Sequence, residues 1–278
     1  MESVEDILTA GIENGLARDG LFIGIGGGVV CDMTAFAASI YMRGSRVILI
    51  PTTLLAMTDA SLGGKTGVDF RGYKNMAGTF FPAEELRICP DLLSSLPERD
   101  YISGLAEVIK HAFLVKSDLF EFLEREREAV LLREPQILGR MIRESIKVKG
   151  DFVERDFREQ AERAFLNFGH TFGHALESVS GFAGWSHGEA VAWGMDKALK
   201  AGVLMGETDP DYARKVSAFL ALYGFRLEAP GIDPEALINA MGKDKKKREG
   251  KIMFVLQKEY GKTFQSEIPR DILQKVLA

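Results

Sequence analysis

The chain has 278 residues, of which 46% are hydrophobic, and a formal net charge of −5 from 35 basic and 40 acidic side chains. This length allows a sizeable core and predicts two domains rather than one. The acidic balance offers no electrostatic attraction for DNA or anionic membranes, so we expect neither as a partner. The two cysteines, Cys31 and Cys89, have no C-x-x-C spacing. They indicate neither a disulfide framework nor a thiolate metal site, and they favour a reducing cytoplasm.

The first part of the chain alternates between helices and short apolar strands. Helical spacing of apolar residues predicts a first helix over 3–18, and the continuous apolar runs 21–25 and 46–50 predict buried strands. A helix over 30–41 lies between them, after three glycines. Strand, helix and strand in this order predict a parallel sheet with a right-handed crossover. Residues 59–81 predict a long functional loop with one hairpin, and residues 86–89 a further strand.

Helical patterns predominate beyond Pro97. We expect helices over 98–132, 135–157, 167–179, 190–205 and 210–223, followed by strands at 252–256 and 261–264. The predicted fold is an α/β N-terminal part with a Rossmann-like, incomplete parallel sheet, followed by a mainly α-helical C-terminal domain. The predicted domains are residues 1–97 and 98–278. No export signal or membrane span is expected, because no apolar run approaches about twenty residues.

Three of the four histidines lie in one short window, Asn167-Phe-Gly-His170-Thr-Phe-Gly-His174-Ala-Leu-Glu177 followed by Trp185-Ser-His187. His170 and His174 are four residues apart, so a helix would project both from one face. Neutral imidazole is the commonest protein ligand for zinc, and a catalytic zinc has about three protein ligands and one open position. The window therefore indicates a divalent metal site. Spacing leaves the acidic ligand open between Glu107 and Glu177.

Glycine-rich turns supply a second candidate site. The segment Gly26-Gly-Gly28-Val-Val-Cys-Asp32 follows a strand and opens a helix, where backbone N–H groups can hold a phosphate. It differs from the G-x-G-x-x-G fingerprint, and a tight turn is the alternative. Pro51-Thr52-Thr53 lies at the carboxyl end of a strand, where open α/β sheets bind ligands, although a helix N-cap is equally consistent. The Gly63-Gly-Lys65-Thr segment lacks the first glycine of a P-loop.

Together these motifs resemble 3-dehydroquinate synthase, in the sugar phosphate cyclase group. The resemblance rests on the glycine turn, Tyr41-Met-Arg43-Gly, Pro51-Thr-Thr-Leu-Leu, Asp59-Ala-Ser-Leu-Gly-Gly-Lys65, Lys74-Asn75, Gly104-Leu-Ala-Glu107-Val-Ile-Lys110, the histidine window and His187-Gly-Glu-Ala-Val. These segments run in family order along the whole chain. Two departures stand out: the chain begins after the first strands that family members normally carry, and Cys31 replaces a usual glycine.

The resemblance implies three groups of site residues. It implies a zinc or cobalt ion held by Glu107, His170 and His187, with His174 facing the substrate. It implies NAD at Gly28, Val29, Val30, Cys31, Asp32, Thr52, Thr53, Asp59, Lys65, Lys74, Leu92, Leu93, Ser94 and Ser95. It also implies a substrate pocket lined by Asp59, Asn75, Lys110, Lys149, Arg163, Asn167, His174 and either Lys245 or Lys246. Arg43 is implied to reach across a homodimer interface into the phosphate site of the partner subunit.

The reaction that the resemblance implies is the conversion of 3-deoxy-D-arabino-heptulosonate 7-phosphate to 3-dehydroquinate and phosphate, with transient oxidation by NAD. Two alternatives remain. One is another sugar phosphate cyclase, which would form a valiolone or an inosose. A related metal-dependent polyol dehydrogenase is disfavoured, since it would have to produce net NADH. The other is a non-catalytic homologue whose NAD binding is lost because of the short N-terminus.

Overall fold

The computed structural model describes residues 1–71, 73–181, 184–244 and 252–278. Its contacts divide the chain into two compact units. The first unit comprises Met1–Gly104 and Arg133–Arg158, and the second comprises Leu105–Leu132 and Glu159–Ala278. The predicted boundary near Pro97 stays a prediction. No helix within the described ranges combines the length and the apolarity that a membrane crossing requires.

The first unit is built on a three-stranded parallel sheet of β1 (Leu21–Gly26), β2 (Arg46–Pro51) and β5 (Glu85–Leu86), in that order, which confirms the predicted α/β fold class. Its elements are α1 (Glu2–Glu13), β1 (Leu21–Gly26), α2 (Gly28–Ile40), β2 (Arg46–Pro51), β3 (Val68–Phe70), β4 (Tyr73–Ala77), β5 (Glu85–Leu86) and α6 (Pro135–Arg155). Strands β3 and β4 form the predicted hairpin. A π-helix covers Ala56–Ala60, and 3-10 turns cover Tyr41–Arg43 and Pro90–Ser95.

Apolar packing between α2 and the sheet forms the core of the first unit. Phe22 of β1 packs edge-on against Tyr41, with ring centroids 5.4 Å apart, and both belong to a buried cluster with Cys31 and Leu49. The Tyr41 hydroxyl donates a hydrogen bond to the carbonyl of Leu16, 2.8 Å away. This packing fixes the turn between β1 and α2, where a nucleotide is predicted.

The second unit is mainly helical. It contains part of α3 (Glu98–Leu114), then α4 (Leu119–Arg125), α5 (Arg127–Leu131), α7 (His170–Val179), α8 (His187–Leu204), α9 (Pro210–Leu222), α10 (Pro234–Asp244), the antiparallel strands β6 (Phe254–Glu259) and β7 (Lys262–Ser266), and α11 (Arg270–Leu277). A 3-10 turn covers Glu162–Asn167. Phe172 of α7 contacts Trp193 of α8 and Phe254 of β6 at centroid distances of 6.4 and 5.2 Å.

Several predicted boundaries were wrong for local reasons. The first helix ends at Glu13 and not at Arg18, because Asn14 and the left-handed Gly15 (φ +65°) terminate it. The segment 98–132 forms three helices instead of one. Helix α7 begins at His170 instead of the predicted Asn167, and α8 begins at His187 instead of the predicted Ala190.

Candidate active site

Close packing of α7 against α8 brings His170 and His187 together at the starts of their helices. Glycines permit this approach: a Cβ on Gly194 of α8 would lie 2.0 Å from the carbonyl oxygen of Gly169, and a Cβ on Gly173 would lie 2.9 Å from the carbonyl oxygen of Ala190. Gly169 itself adopts φ +82°, which side-chain-bearing residues rarely adopt. The resulting centroid distance between the two imidazole rings is 5.4 Å.

A capping box fixes the start of α8. The backbone N–H of Glu189 donates to Ser186 Oγ at 3.3 Å, and the backbone N–H of Ser186 donates to Glu189 Oε2 at 2.7 Å. His187 is therefore held at the first helical position. This is a contribution that the sequence analysis missed, although the spacing Ser186-x-x-Glu189 is a recognised signal for it.

Glu107 of α3 faces both imidazoles. Its Oε1 atom lies 3.4 Å from His170 Nε2 and 3.6 Å from His187 Nε2. Two ligands of a tetrahedral zinc, with bonds of about 2.0–2.2 Å, lie about 3.3–3.6 Å apart. The Glu107 side chain is fully buried, and among the described residues no hydrogen-bond donor satisfies Oε1. A divalent cation would satisfy that buried oxygen, so these three residues fit a metal.

Further contacts hold each of the three side chains from behind. Lys110, one turn after Glu107 and also buried, donates a hydrogen bond to Glu107 Oε2. His170 Nδ1 lies 3.3 Å from the carbonyl oxygen of Phe168, which leaves Nε2 to face the carboxylate. His187 Nδ1 lies 3.5 Å from Glu177 Oε2.

Electrostatics set the protonation of these groups. Burial raises the pKa of Glu107, but the Lys110 ammonium and the two histidines outweigh burial and hold this pKa well below its usual range. Burial and the Lys110 charge hold the pKa of His170 well below its usual range, so its ring is neutral and keeps a lone pair. Burial lowers the pKa of His187, but the carboxylates of Glu107 and Glu177, which face its two ring nitrogens, outweigh burial and raise this pKa to about 9.

His174 lies beside this cluster, one turn further along α7. Its ring centroid is 5.4 Å from that of His170 and 6.0 Å from that of His187. Donor atoms of His174, Glu177 and His187 also lie within 4.8 Å of one another, as do those of Glu107, His170 and His187. Within the described part of the second unit, geometry alone therefore gives two sets, which share His187, and both Glu107 and Glu177 lie at this site.

In the first unit, the glycine turn joins β1 directly to the start of α2. No side-chain cap is described at the N-terminus of α2, so its first backbone N–H groups are left to other acceptors. A Cβ on Gly27 would lie 3.1 Å from the methyl group of Thr53, and a Cβ on Gly28 would lie 3.1 Å from the Cβ of Ala60, so the turn is tightly enclosed on that side. The backbone N–H of Thr52 donates to the Gly26 carbonyl at 2.8 Å. These features suit a phosphate group.

Side chains of this turn differ in what they offer. The hydroxyl of Thr53 accepts a hydrogen bond from the backbone N–H of Ala56 at 3.1 Å, so it caps the following helix. Cys31 is buried in the core, and burial raises the pKa of its thiol to about 11, so it stays protonated and donates a hydrogen bond to the carbonyl oxygen of Gly26, 3.7 Å away. Val29 is exposed, and Val30 is more than one-third exposed.

Asp32, Asp59 and Lys149 form a polar cluster in the first unit. Lys149 of α6 donates to Asp59 Oδ1 at 2.5 Å and to the Asp59 carbonyl at 2.6 Å. Burial raises the pKa of Asp32 to about 7; the Lys149 ammonium opposes this rise and the Asp59 carboxylate adds to it. The structure thus brings together three predicted site residues that are distant in sequence.

The other predicted residues have separate positions. Arg43 is exposed in a strained turn, with φ +69° after Met42 at φ +47°. Asn75 has φ +52°, and its backbone N–H donates to Asp69 Oδ1 at 2.9 Å. Lys65 is exposed, and Lys74 lies in β4. On the 3-10 turn Pro90–Ser95, Leu93 is buried, whereas Leu92, Ser94 and Ser95 are exposed. In the second unit Arg163 is buried, and the side-chain amide of Asn167 donates a hydrogen bond to Glu159 at 2.6 Å. Lys245 and Lys246 lie outside the described residues.

Family models and curated relatives match this chain over most of its length. The family model for the 3-dehydroquinate synthase N-terminal region matches residues 1–103, and the model for the C-terminal region matches residues 104–247. The curated 3-dehydroquinate synthase of Thermodesulfovibrio yellowstonii is 43% identical over 273 residues, which cover 98% of this chain and 76% of the relative. That of Nostoc punctiforme is 40% identical over 281 residues, which cover 100% and 77%.

Solved structures of related cyclases share the fold. A 2-epi-5-epi-valiolone synthase from Streptomyces hygroscopicus, with NAD⁺ and Zn²⁺ bound, has a TM-score of 0.91 at 28% identity and is covered to 78% by the whole of this chain. A 2-deoxy-scyllo-inosose synthase complexed with carbaglucose-6-phosphate, NAD⁺ and Co²⁺ has a TM-score of 0.92 at 25% identity, over 99% of this chain and 78% of that one.

The fold that this chain shares with these two solved structures places it in the class of the sugar phosphate cyclases. Within this class the chain belongs to the 3-dehydroquinate synthase family, since both family models and the curated relatives agree. The resemblance drawn from the sequence motifs is confirmed.

Proposed function

We propose that this chain is a 3-dehydroquinate synthase, a carbon–oxygen lyase that converts 3-deoxy-D-arabino-heptulosonate 7-phosphate to 3-dehydroquinate and phosphate. The observation that carries the proposal is the buried set of Glu107, His170 and His187, whose donor atoms are spaced as for one divalent ion. Relatives named 3-dehydroquinate synthase at 43% and 40% identity support the choice of reaction.

We assign zinc or cobalt to these three residues, because two imidazoles and one carboxylate accept either ion. The ion, when bound, supplies a Lewis acid for hydroxyl and ketone oxygens. Lys110 neutralises the second oxygen of Glu107 and keeps the carboxylate charged in a buried position. His174 stands beside the ligands and is assigned to move a proton on the substrate.

We assign NAD to the turn between β1 and α2 and to residues Thr52 and Thr53. NAD, when bound, supplies a reversible hydride acceptor, so a complete turnover has no net redox change. The backbone N–H groups at the start of α2, which no described side chain caps, suit its pyrophosphate, and Asp32 suits a ribose hydroxyl. The remaining predicted contacts, Asp59, Lys65, Lys74 and the turn at 92–95, belong to the same assignment.

Cations and amides would hold the anionic ends of the substrate. We assign Lys149, Arg163, Asn167 and Asn75 to its carboxylate and phosphate, since Arg and Lys bind such groups through charge-assisted hydrogen bonds. The strained backbone at Arg43 supports a functional role, because consecutive left-handed non-glycine residues cost energy. We propose that Arg43 serves a partner subunit in a homodimer, and that the enzyme acts in the cytoplasm.

A second candidate function is another sugar phosphate cyclisation, which the two structural neighbours favour. Their identity to this chain is 28% and 25%, against 43% and 40% for the 3-dehydroquinate synthases, and the synthase reaction is therefore preferred.

Turnover tests the choice directly. The purified chain is supplied with NAD and Co²⁺ or Zn²⁺, and phosphate release is measured with the heptulosonate phosphate, sedoheptulose 7-phosphate and glucose 6-phosphate. We expect phosphate and 3-dehydroquinate from the first substrate only, without net NADH. Glu107→Gln should abolish release, whereas Glu124→Gln, on the exposed face of α4, should leave it unchanged. Turnover of another sugar phosphate alone, or none with NAD and metal both bound, would overturn the proposal.

A further inference from the structure

Glu177 is a buried carboxylate in α7 that contacts the proposed metal centre from its outer side. Its side chain lies one turn beyond His174, and the residue is 6% exposed. Glu177 Oε2 lies 3.5 Å from Nδ1 of His187, while Nε2 of the same ring lies 3.6 Å from Glu107 Oε1. One imidazole therefore stands between two carboxylates, each facing a different ring nitrogen.

We infer that Glu177 is the outer carboxylate that orients His187 and sets its tautomer, and that it is not itself a metal ligand. A neutral imidazole can offer a lone pair at Nε2 only if its proton is on Nδ1. A carboxylate beside Nδ1 accepts that proton in a hydrogen bond and so selects this tautomer. The inference rests on the metal site assigned to Glu107, His170 and His187.

The arrangement of the other ligands favours this division of roles. The Nδ1 atom of His170 already faces the carbonyl of Phe168, so Nε2 is the nitrogen it has to offer. Glu107 Oε1 is a buried carboxylate oxygen that lacks a donor among the described residues. If the ion instead lay between His174, Glu177 and His187, that buried oxygen would stay unsatisfied, which carries the full desolvation cost of a charged group without a partner.

Charge gives Glu177 a second role. The Lys110 ammonium compensates the Glu107 carboxylate, and histidines that bind a metal are neutral, so these four residues would bring no net charge to the ion. Adding a divalent cation to such a set in a buried place is costly without further negative charge. Glu177 supplies one negative charge next to a ligand, where a backbone carbonyl such as that of Phe168 supplies none.

Metal affinity and ligand number separate an outer residue from a ligand. We would measure Zn²⁺ affinity by competition with a chromophoric chelator, and the visible spectrum of the Co²⁺ form, for the full chain and for Glu177→Gln and Glu177→Leu. Removing an outer partner of this kind weakens affinity on the order of 10–100-fold. We expect the larger loss with Leu, the smaller with Gln, whose amide oxygen still accepts from Nδ1–H, and an unchanged Co²⁺ coordination number in both.

Ser178→Ala is the matched control, since Ser178 is the next residue of α7 and is exposed. It should bind zinc as the wild type does. Thermal unfolding of the metal-free variants shows whether Glu177 acts only through fold stability, which would lower the melting temperature without changing metal affinity in the folded chain. If the Leu variant does not fold, the isosteric Gln variant decides.

Unchanged zinc affinity in the folded Gln and Leu variants would overturn the inference. A Co²⁺ spectrum that shows one ligand fewer would also overturn it, because Glu177 would then be a ligand. Failure of the wild-type chain to bind zinc or cobalt at all would instead overturn the proposed metal site and with it the proposed function, so the two failures are distinguishable.

Discussion

Replacing Gly194 by alanine should disturb the metal centre without touching any proposed ligand. The new Cβ would lie 2.0 Å from the carbonyl oxygen of Gly169 and 2.9 Å from the backbone nitrogen of Gly173. An ordinary nonbonded contact is about 3.5 Å, so the start of α7 would have to move away from α8 by roughly 1 Å or more. Overpacking of this kind costs about 1–3 kcal/mol of stability.

The consequence for metal binding follows from the donor spacing. His170 directly follows Gly169, and its Nε2 atom lies 3.4 Å from Glu107 Oε1. Metal ligand distances tolerate changes of about 0.2 Å, so a shift of roughly 1 Å should weaken zinc binding on the order of 10–100-fold. Chelator competition measures the affinity, and urea unfolding of the metal-free chain measures the stability.

Gly139→Ala is the control for this prediction. Gly139 lies in α6, where an added Cβ would meet nothing within 4 Å, so the substitution should raise stability by roughly 0.5–1 kcal/mol and leave zinc affinity unchanged. A Gly194→Ala variant that binds zinc as tightly as the wild type would show that close packing of α7 against α8 does not set the donor spacing.

Three further substitutions test other parts of the structure. The pKa of Asp32 is raised from 3.8 to about 7 in the folded chain. Between these two pH values the unfolded chain has lost the Asp32 proton and the folded chain still binds it, so the stability of the fold falls as pH rises. Asp32→Asn should therefore stabilise the chain by up to about 4 kcal/mol at pH 8 and by roughly half of that or less at pH 5. Urea unfolding measures this free energy at each pH, and an equal gain at pH 5 and pH 8 would contradict the prediction. Ser186→Ala should cost about 1 kcal/mol and also weaken zinc binding, whereas Asp209→Ala, which removes the cap of α9, should cost stability alone; equal zinc affinity in both would be evidence against the role of the cap. Lys110→Met should destabilise the metal-free chain by about 3–5 kcal/mol, because it leaves the buried Glu107 charge unpaired, and added zinc should recover part of the loss in thermal unfolding; no loss would show that the ion pair is dispensable.

Much of the first unit was predictable because continuous apolar runs identify buried parallel strands. The strands at 21–26 and 46–51 and the helix between them lie within two residues of their predicted bounds. Boundaries set by single backbone features were less predictable. Gly15 ends α1 and Gly169 delays α7, and both depend on left-handed backbone geometry that composition does not reveal.

The candidate site was predictable from the sequence only in part. Spacing singled out His170, His174 and His187, but it left Glu107 and Glu177 as alternatives, because both lie at helical spacing near other polar residues. Their distinct surroundings appear only when α3, α7 and α8 pack together. The cluster of Asp59 and Lys149 joins residues 90 positions apart, a pairing that no local pattern contains.

Crystals of the chain grown with Co²⁺ or Zn²⁺ and measured at the metal absorption edge would test the proposed metal centre most directly. We expect one anomalous peak per chain, at about 2.0–2.2 Å from Glu107 Oε1 and from the Nε2 atoms of His170 and His187. A peak held by His174 and Glu177 instead, or no peak in the presence of excess metal, would contradict it.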